Sequence, residues 1–390
     1  MRRIKLCDIC DFQGGSQPPK NQWIDSPQYG YIRMLQIRDF TQSEKVKPEY
    51  IKITSSSKVC NEDDILIARY GASVGKILTG LAGAYNVAIM KTIPDEEKIS
   101  KRFLFYFLSS QYFQNYIMNV GSRAAQAGFN KDDLQGISLK EYSLKEQADI
   151  CSILDEINVI IKKRKKQLKY IENVVKSRFI EMFGTLHNNE NGFDIVTLDE
   201  VCSLIKDGTH QTPQYTENRI EGYKFLSSKD VMSQKIDWTD IKYIPEELHK
   251  KLYAVIRPQR NDILMSKNGV NYGVAAVNDT DEIFDIYVSL ALLRPKAVID
   301  PVFLRCIINN PETKKQFSAS IKGIGVPNLH LGEIKKTKIF LPPMELQKEF
   351  VAFVAQTDKS KYYNFTSYKY CVLAAKLIRQ EWMLCQTLSF

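Results

Sequence analysis

The chain has 390 residues, and at about 100–200 residues per domain this length predicts two to four domains. Hydrophobic residues make up 44% and charged residues 25%, proportions that exclude a disordered, collagen-like or mini-protein chain. The formal charge of +9 permits a polyanionic partner without demanding one, no run of about 18 apolar residues occurs, and the basic start lacks the apolar stretch of a secretory signal, so the expectation is a cytoplasmic protein with no membrane partner.

In chain order, the first block (1–143) is built of short mixed segments. Gly14-Gly15-Ser16-Gln17-Pro18-Pro19 breaks it early, and strand-like runs lie at Tyr31-Ile32-Arg33-Met34-Leu35, Ile65-Leu66-Ile67-Ala68 and Val87-Ala88-Ile89-Met90. A helical pattern spans 103–116, so the block reads as α+β. A central helix follows in 144–184. Ile150, Ile153, Ile157, Ile160, Leu168, Ile171, Val175, Phe179 and Met182 recur at helical spacing, and no Pro or Gly falls within 145–183. Phe183-Gly184 gives it a stop, and at about 1.5 Å per residue it would run about 58 Å.

The second block (185–342) repeats the plan. Asp207-Gly208-Thr209-His210-Gln211-Thr212-Pro213 is its early break, strand-like runs lie at Ile263-Leu264-Met265 and Val288-Ser289-Leu290-Ala291-Leu292-Leu293, and a helical pattern spans 302–317. The last segment (343–390) keeps steps of three and four through Phe350, Phe353, Thr357, Lys361, Asn364, Tyr368, Cys371, Ala375, Ile378, Trp382 and Cys385, with a polar middle. Its middle, Asn364-Phe365-Thr366-Ser367, is poor helix sequence, so a weak or frayed centre is expected. The two helices match in length. Antiparallel pairing with each other is favoured over each binding a different protein.

The blocks are copies of one module. Asp64-Ile65-Leu66-Ile67-Ala68-Arg69-Tyr70-Gly71 answers Asp262-Ile263-Leu264-Met265-Ser266-Lys267-Asn268-Gly269, Leu6-Cys7-Asp8-Ile9-Cys10 answers Leu198-Asp199-Glu200-Val201-Cys202, and Leu139-x-x-Tyr142-Ser143-Leu144-x-x-Gln147 answers Ile339-x-x-Pro342-Pro343-Met344-x-x-Gln347. The offset drifts from roughly 192 to roughly 200, as diverged copies with small indels would. The repeat also decides the Cys7-x-x-Cys10 spacing. Cys10 recurs as Cys202 but Cys7 becomes Asp199, so a buried hydrophobe is read there in place of a metal ligand.

Catalytic signatures are missing. Four histidines (His187, His210, His249, His330) lie in no HxxxH or HExxH context; His187 and His249 read as solvated. Gly71-Ala72-Ser73-Val74-Gly75-Lys76 fails as a phosphate loop, since the glycines are one residue too close and Ile77 follows the lysine. Its copy Gly269-Val270-Asn271-Tyr272-Gly273-Val274 has no lysine, but the repeated G-x-x-x-G indicates a flexible backbone after a strand in both copies. No S-adenosylmethionine loop, adenine-methyltransferase tetrad or helicase motif appears, and the chain reads as non-catalytic with no metal.

A tandem block–helix–block–helix chain of this kind resembles the specificity subunit of type I restriction–modification systems. The resemblance covers essentially the whole chain and rests on Tyr31-Ile32-Arg33-Met34-Leu35-Gln36-Ile37-Arg38-Asp39-Phe40, the run from Asp64 to Lys76, Gly83-Ala84-Tyr85-Asn86-Val87-Ala88, the Asp207 to Pro213 motif, and Leu341-Pro342-Pro343-x-x-x-Gln347. It implies two α+β target recognition domains separated by two long helices that pair as an antiparallel coiled coil. Each domain would read one half of a bipartite double-stranded DNA site, with the helices as spacer. Two methyltransferase subunits would dock on the helices and a restriction translocase–nuclease would join them. Methylation would fall on adenine N6. The resemblance further implies that this chain binds no cofactor, S-adenosylmethionine belonging to the methyltransferase and ATP and Mg to the restriction partner. The other function class weighed is a stand-alone tandem-domain DNA- or RNA-binding regulator without methyltransferase partners; an enzyme with an unrecognised site ranks below both.

Base edges are read by side chains that offer bidentate or adaptable hydrogen bonds from loops. The candidates are Arg69, Tyr70, Ser73, Lys76, Arg123, Gln126 and Asn130 in the first block, and His210, Gln211, Thr212, Lys267, Asn268, Asn271, Tyr272, Asn328 and His330 in the second. For each the competing reading is a solvated loop residue. The run Lys162-Lys163-Arg164-Lys165-Lys166 is open to three readings: a solvated helix face, phosphate contact, or docking on an acidic partner.

Overall fold

The computed structural model describes residues 2–121, 128–321 and 327–384. It divides into two compact units, Met1–Lys166 with Asn364–Phe390, and Gln167–Tyr363. The boundaries fall inside both long helices and not at their ends. The cause is packing: each stretch of helix buries its apolar stripe in the core of the block beside it.

In the first unit, strands Cys10–Gly14, Ile89–Pro94, Leu66–Ala68 and Ile77–Leu78 form an antiparallel sheet in that order. A second sheet orders Tyr50–Lys52, Tyr31–Leu35, Gly83–Tyr85 and Val59–Cys60, with a parallel pair at its centre. The helical pattern near 103–116 resolves into two helices, Lys101–Leu108 and Gln111–Gly121. The Ser100 side chain caps the first by accepting from the Phe103 amide. These helices cover the first sheet through Phe103, Leu104, Phe107 and Phe113, all fully buried with Ile67. Ile150, Cys151 and Leu154 of the first long helix close the same core.

The second unit repeats the layout. Cys202–Asp207, Leu290–Pro295, Ile263–Ser266 and Ala275–Val277 form the antiparallel sheet, while Lys242–Ile244, Tyr223–Leu226 and Phe284–Ile286 form the mixed one. Helices Pro301–Ile308 and Pro311–Ser320 begin at capped Asp300 and Asn310, each with Pro at the first helical position. The core is an aromatic cluster in which Phe179 and Phe183 of the first long helix meet Phe303, Phe340 and Phe350 at ring separations of 5.1–6.2 Å. Burial pushes the thiols of Cys10 and Cys202 up to about 12, as suits reduced core residues.

The long helices are Leu144–Phe183 and Met344–Leu384. Ser143 starts the first with reciprocal bonds to Glu146: the Ser143 amide donates to Glu146 Oε2 (2.8 Å) and the Glu146 amide to Ser143 Oγ (3.3 Å). Gly184, in the left-handed region at φ +70°, ends it by donating to the Ile180 carbonyl. In the first unit Arg164 donates to Asn364 (3.0 Å) while Ile378 packs on the core that holds Ile150 and Leu154. In the second, Lys361 meets Glu172 (2.9 Å) and Arg178 meets Glu349 (2.9 Å). In each unit the rising numbers of one helix face the falling numbers of the other, an antiparallel register. The second helix runs unbroken through Asn364-Phe365-Thr366-Ser367, contrary to the frayed centre expected from propensity. The Arg164 contact to Asn364 shows the tertiary pairing that overrides it.

His249 also departs from expectation. It is buried, donates or accepts through Nδ1 with Asp285 Oδ2 at 2.7 Å, and stacks on the Tyr223 ring at 3.7 Å. Its amphipathic helix Glu246–Tyr253 turns this side chain onto the mixed sheet, a placement that no local sequence feature marks.

Candidate nucleic-acid interface

The loops that carry the candidate readers leave the same end of the antiparallel sheet in each unit. In the first, the strand Leu66–Ala68 runs into a turn that needs two left-handed glycines, Gly71 (φ +74°) and Gly75 (φ +80°); in the second the same turn uses Gly269 (+82°) and Gly273 (+76°). The repeated G-x-x-x-G is thus a backbone requirement. Gly15 and Gly208 allow a second close approach. A Cβ at either would sit within about 2.1 Å of a backbone carbonyl oxygen, of Asn86 or Ile286.

In the first unit Tyr70 bridges Gly128 in antiparallel fashion, which brings loop 69–76 against segment 128–130. Arg69 Nε donates to the Phe129 carbonyl (3.2 Å) and Nη1 to the Val87 carbonyl (3.4 Å), with the guanidinium 5.0 Å from the Tyr70 ring centre. Tyr70 and Lys76 are exposed and Ser73 is half-buried in the turn. Asn130 is exposed but occupied: its Oδ1 accepts from the Asp133 amide and its own amide donates to Asp133 Oδ2. Arg123 and Gln126 lie outside the described residues.

In the second unit Asn268 bridges Asn328, the Leu329 amide donates to the Lys267 carbonyl (2.8 Å), and the Gly269 amide to that of Pro327 (2.9 Å). Loops 267–273 and 327–330 are thereby joined. The Oδ1 atoms of Asn268 and Asn328 are buried without a hydrogen-bond partner among the described residues. Asn271 is exposed. Tyr272 is committed locally, its hydroxyl 2.9 Å from Ser318 and its ring under Lys314 (3.4 Å). Burial lowers the Lys314 pKa. His210, Gln211 and Thr212 are exposed on the loop after Cys202–Asp207, and His330 is exposed at the start of helix Leu331–Lys336.

Lys267 is not on the surface. It is 4% exposed and its ammonium sits 2.7 Å from Asp207 Oδ2, an oxygen that also lies 3.3 Å from His210 Nε2. Its charge is consumed within the fold, which corrects the expectation that it reaches a base. Asp207 is the residue that sequence reasoning passed over. Its signal was the alignment of Gly14-Gly15 with Asp207-Gly208, which puts Gly in one copy where the other has a carboxylate.

The assembled surface offers amide, hydroxyl, imidazole and guanidinium groups on glycine-held turns. Such a set donates to and accepts from base edges and phosphates. Among the described residues no cluster of three or more His, Cys, Asp or Glu could hold a metal ion.

The family model described as the type I restriction modification DNA specificity domain matches twice, over residues 1–170 and 190–363. The MjaVIII specificity subunit of the type I restriction enzyme of Methanocaldococcus jannaschii is 24% identical over 91% of this chain and 85% of its own length. The EcoBI specificity subunit of Escherichia coli is 23% identical over 75% of this chain and 66% of its own. Among solved structures, the fold matches a chain of a type I restriction–modification system with a TM-score of 0.57 at 18% identity, covering 97% of this chain and 96% of that one. It also matches the S subunit from M. genitalium with a TM-score of 0.53 at 13% identity, covering 99% and 96%.

Proposed function

The chain belongs to the type I restriction–modification DNA specificity family, and on that premise we propose that each of its two units reads one half of a bipartite site in double-stranded DNA. The chain is a specificity subunit, and it assembles with other subunits of its system. In the proposed division of labour two methyltransferase subunits bring S-adenosylmethionine and methylate adenine N6. A translocase–nuclease brings ATP and Mg, and this chain contributes sequence recognition with no catalytic step and no cofactor of its own. In the proposed reading the chain works in the cytoplasm, where its DNA is. Among the described residues no helix is long and apolar enough to cross a membrane.

The observation that carries the reading is the duplication of the loop cluster. Tyr70 meets Gly128 and Asn268 meets Asn328 in equivalent bridges, on equivalent glycine-held turns, yet the side chains presented differ. One module used twice with different reading groups suits two different half-sites. The test is co-expression with a methyltransferase subunit from the same organism in a methylation-free host, followed by methylome sequencing. A split motif with an unspecified gap is expected. Methylation that is absent, or that follows a continuous motif, would overturn the reading, as would purification of the native chain without a methyltransferase partner.

A further inference from the structure

Two positions that correspond in the repeat carry cations with opposite fates. The Arg69 amide donates to the Ala88 carbonyl and the Lys267 amide to that of Ser289; the Gly15 amide donates to Ile89 and the Gly208 amide to Leu290. Gly14 pairs with Met90 in its sheet and Asp207 with Ala291 in the other. Arg69 therefore corresponds to Lys267, and Gly14 to Asp207. In the second unit the carboxylate and ammonium cancel at 2.7 Å with Lys267 buried. In the first, Gly14 stands in place of that carboxylate. A Cβ on Gly14 would lie 3.2 Å from Arg69 Nη1, so the place of the Asp207 side chain is taken by the guanidinium itself.

Arg69 has five N–H donors and no acceptor. The structure commits one on Nε to Phe129 and one on Nη1 to Val87, and these two backbone bonds fix the plane of the group. Among the described residues no carboxylate pairs with it. A half-exposed, donor-only fork that is held rigid matches two adjacent acceptors. In the major groove guanine alone presents that edge, through O6 and N7; adenine interposes a donor at N6.

We propose that Arg69 is a specificity-determining residue that reads a guanine in the half-site of the first unit, whereas the corresponding Lys267 reads no base because Asp207 neutralises it. The inference rests on the reading of the chain as a two-half-site specificity subunit.

The test uses the full chain assembled with its methyltransferase. In the wild-type methylome one half of the motif contains a guanine. Arg69→Gln, and independently Gly14→Asp, which sets a carboxylate against the guanidinium, should leave that one base pair unspecified while the other half-site stays unchanged. In a measurement that needs no variant, the wild-type complex is titrated with DNA in which each guanine of that half is replaced in turn by 7-deazaguanine, which lacks the N7 acceptor. One replacement should weaken binding about ten- to hundredfold. Equal loss of methylation at all sites in both variants would show a phosphate contact and overturn the inference, as would binding indifferent to every replacement. A wild-type motif that is not bipartite would instead sink the functional reading beneath it. A bipartite motif with no guanine in either half would sink this inference alone.

Discussion

Removing one member of the Lys267–Asp207 pair leaves the other charged, largely buried and without its nearest counter-charge, Asp207 keeping only the exposed His210 at 3.3 Å. Lys267→Met should therefore destabilise the second unit by about 3–5 kcal/mol, whereas Lys267→Met combined with Asp207→Leu should recover most of that loss. Urea denaturation of the single and double variants measures both; equal stability of the single variant and wild type would show that the pair is dispensable. The His249–Asp285 contact makes a pH-dependent case. Burial raises the Asp285 pKa and His249, through a hydrogen bond and its charge, pulls it back, so His249→Ala leaves the rise unopposed. A carboxyl with a raised folded-state pKa binds protons more tightly folded than unfolded. Its stabilising effect is complete below the unfolded value and is lost as pH climbs through the folded one. The deficit of His249→Ala should accordingly be larger at pH 8 than at pH 5, and a pH-independent deficit would exclude this account. Neither pair was legible in the sequence. Asp207 and Lys267 are 60 residues apart, His249 and Asp285 36, and each partner becomes visible only when strand register is known. The correspondence of Arg69 with Lys267 was legible because it lies within an aligned run.

At the scale of elements, the repeat itself marks how each long helix is fastened to its block. Gln147 and Gln347 are both buried. Gln147 Oε1 accepts from the Ser100 amide (2.9 Å) and Nε2 donates to the carbonyls of Lys98 and Tyr142; Gln347 Oε1 accepts from Asp300 (2.8 Å) and Nε2 donates to Val298 and Pro342. Each amide thus ties the first turn of a long helix to the start of the helix that covers the sheet. Gln347→Met would strand these backbone groups, at about 1–3 kcal/mol for a buried group left unpaired, and Gln147→Met should do the same in the first unit. Thermal denaturation checks the prediction; a change below about 0.5 kcal/mol, the ordinary range for surface substitutions, would contradict it. The matched spacing of Gln147 and Gln347 could be read from the sequence, although what the glutamines bind could not. The long helices were legible from their period and from the Gly184 stop. The centre of the second was misjudged because helix propensity describes an isolated segment, and Asn364 sits opposite Arg164. The break of each covering helix into two was missed because Ser109-Ser110 and Asn309-Asn310 interrupt an apolar period too briefly to register.

For the molecule as a whole, the arithmetic of charge limits what the chain can do by itself. An excess of 54 basic over 45 acidic side chains leaves a net +9, and ion pairs such as Lys267 with Asp207, Arg294 with Asp262 and Lys91 with Asp64 keep some cations within the fold without changing that net. The cations on the loops proposed to read DNA suffice for a few phosphate contacts. Each contact releases condensed counterions, so log affinity falls with log salt by about 0.9 per phosphate neutralised. With about four such contacts, binding by the isolated chain should drop about a hundredfold between roughly 50 and 200 mM salt. Base discrimination is worth only about 1–3 kcal/mol per good bidentate pair, and at low salt it is easily masked by this non-specific attraction. The chain alone should therefore bind DNA weakly, with a steep salt slope and little preference for its own site. Assembly with the methyltransferase subunits should tighten binding, add phosphate contacts that steepen the slope, and raise the ratio of specific to non-specific affinity. Titrations of cognate and scrambled duplexes across salt, with and without the partner, separate these effects. Full site preference in the isolated chain, unchanged when the methyltransferase is added, would mean that recognition is complete in this subunit and that the partners contribute chemistry without contributing to grip.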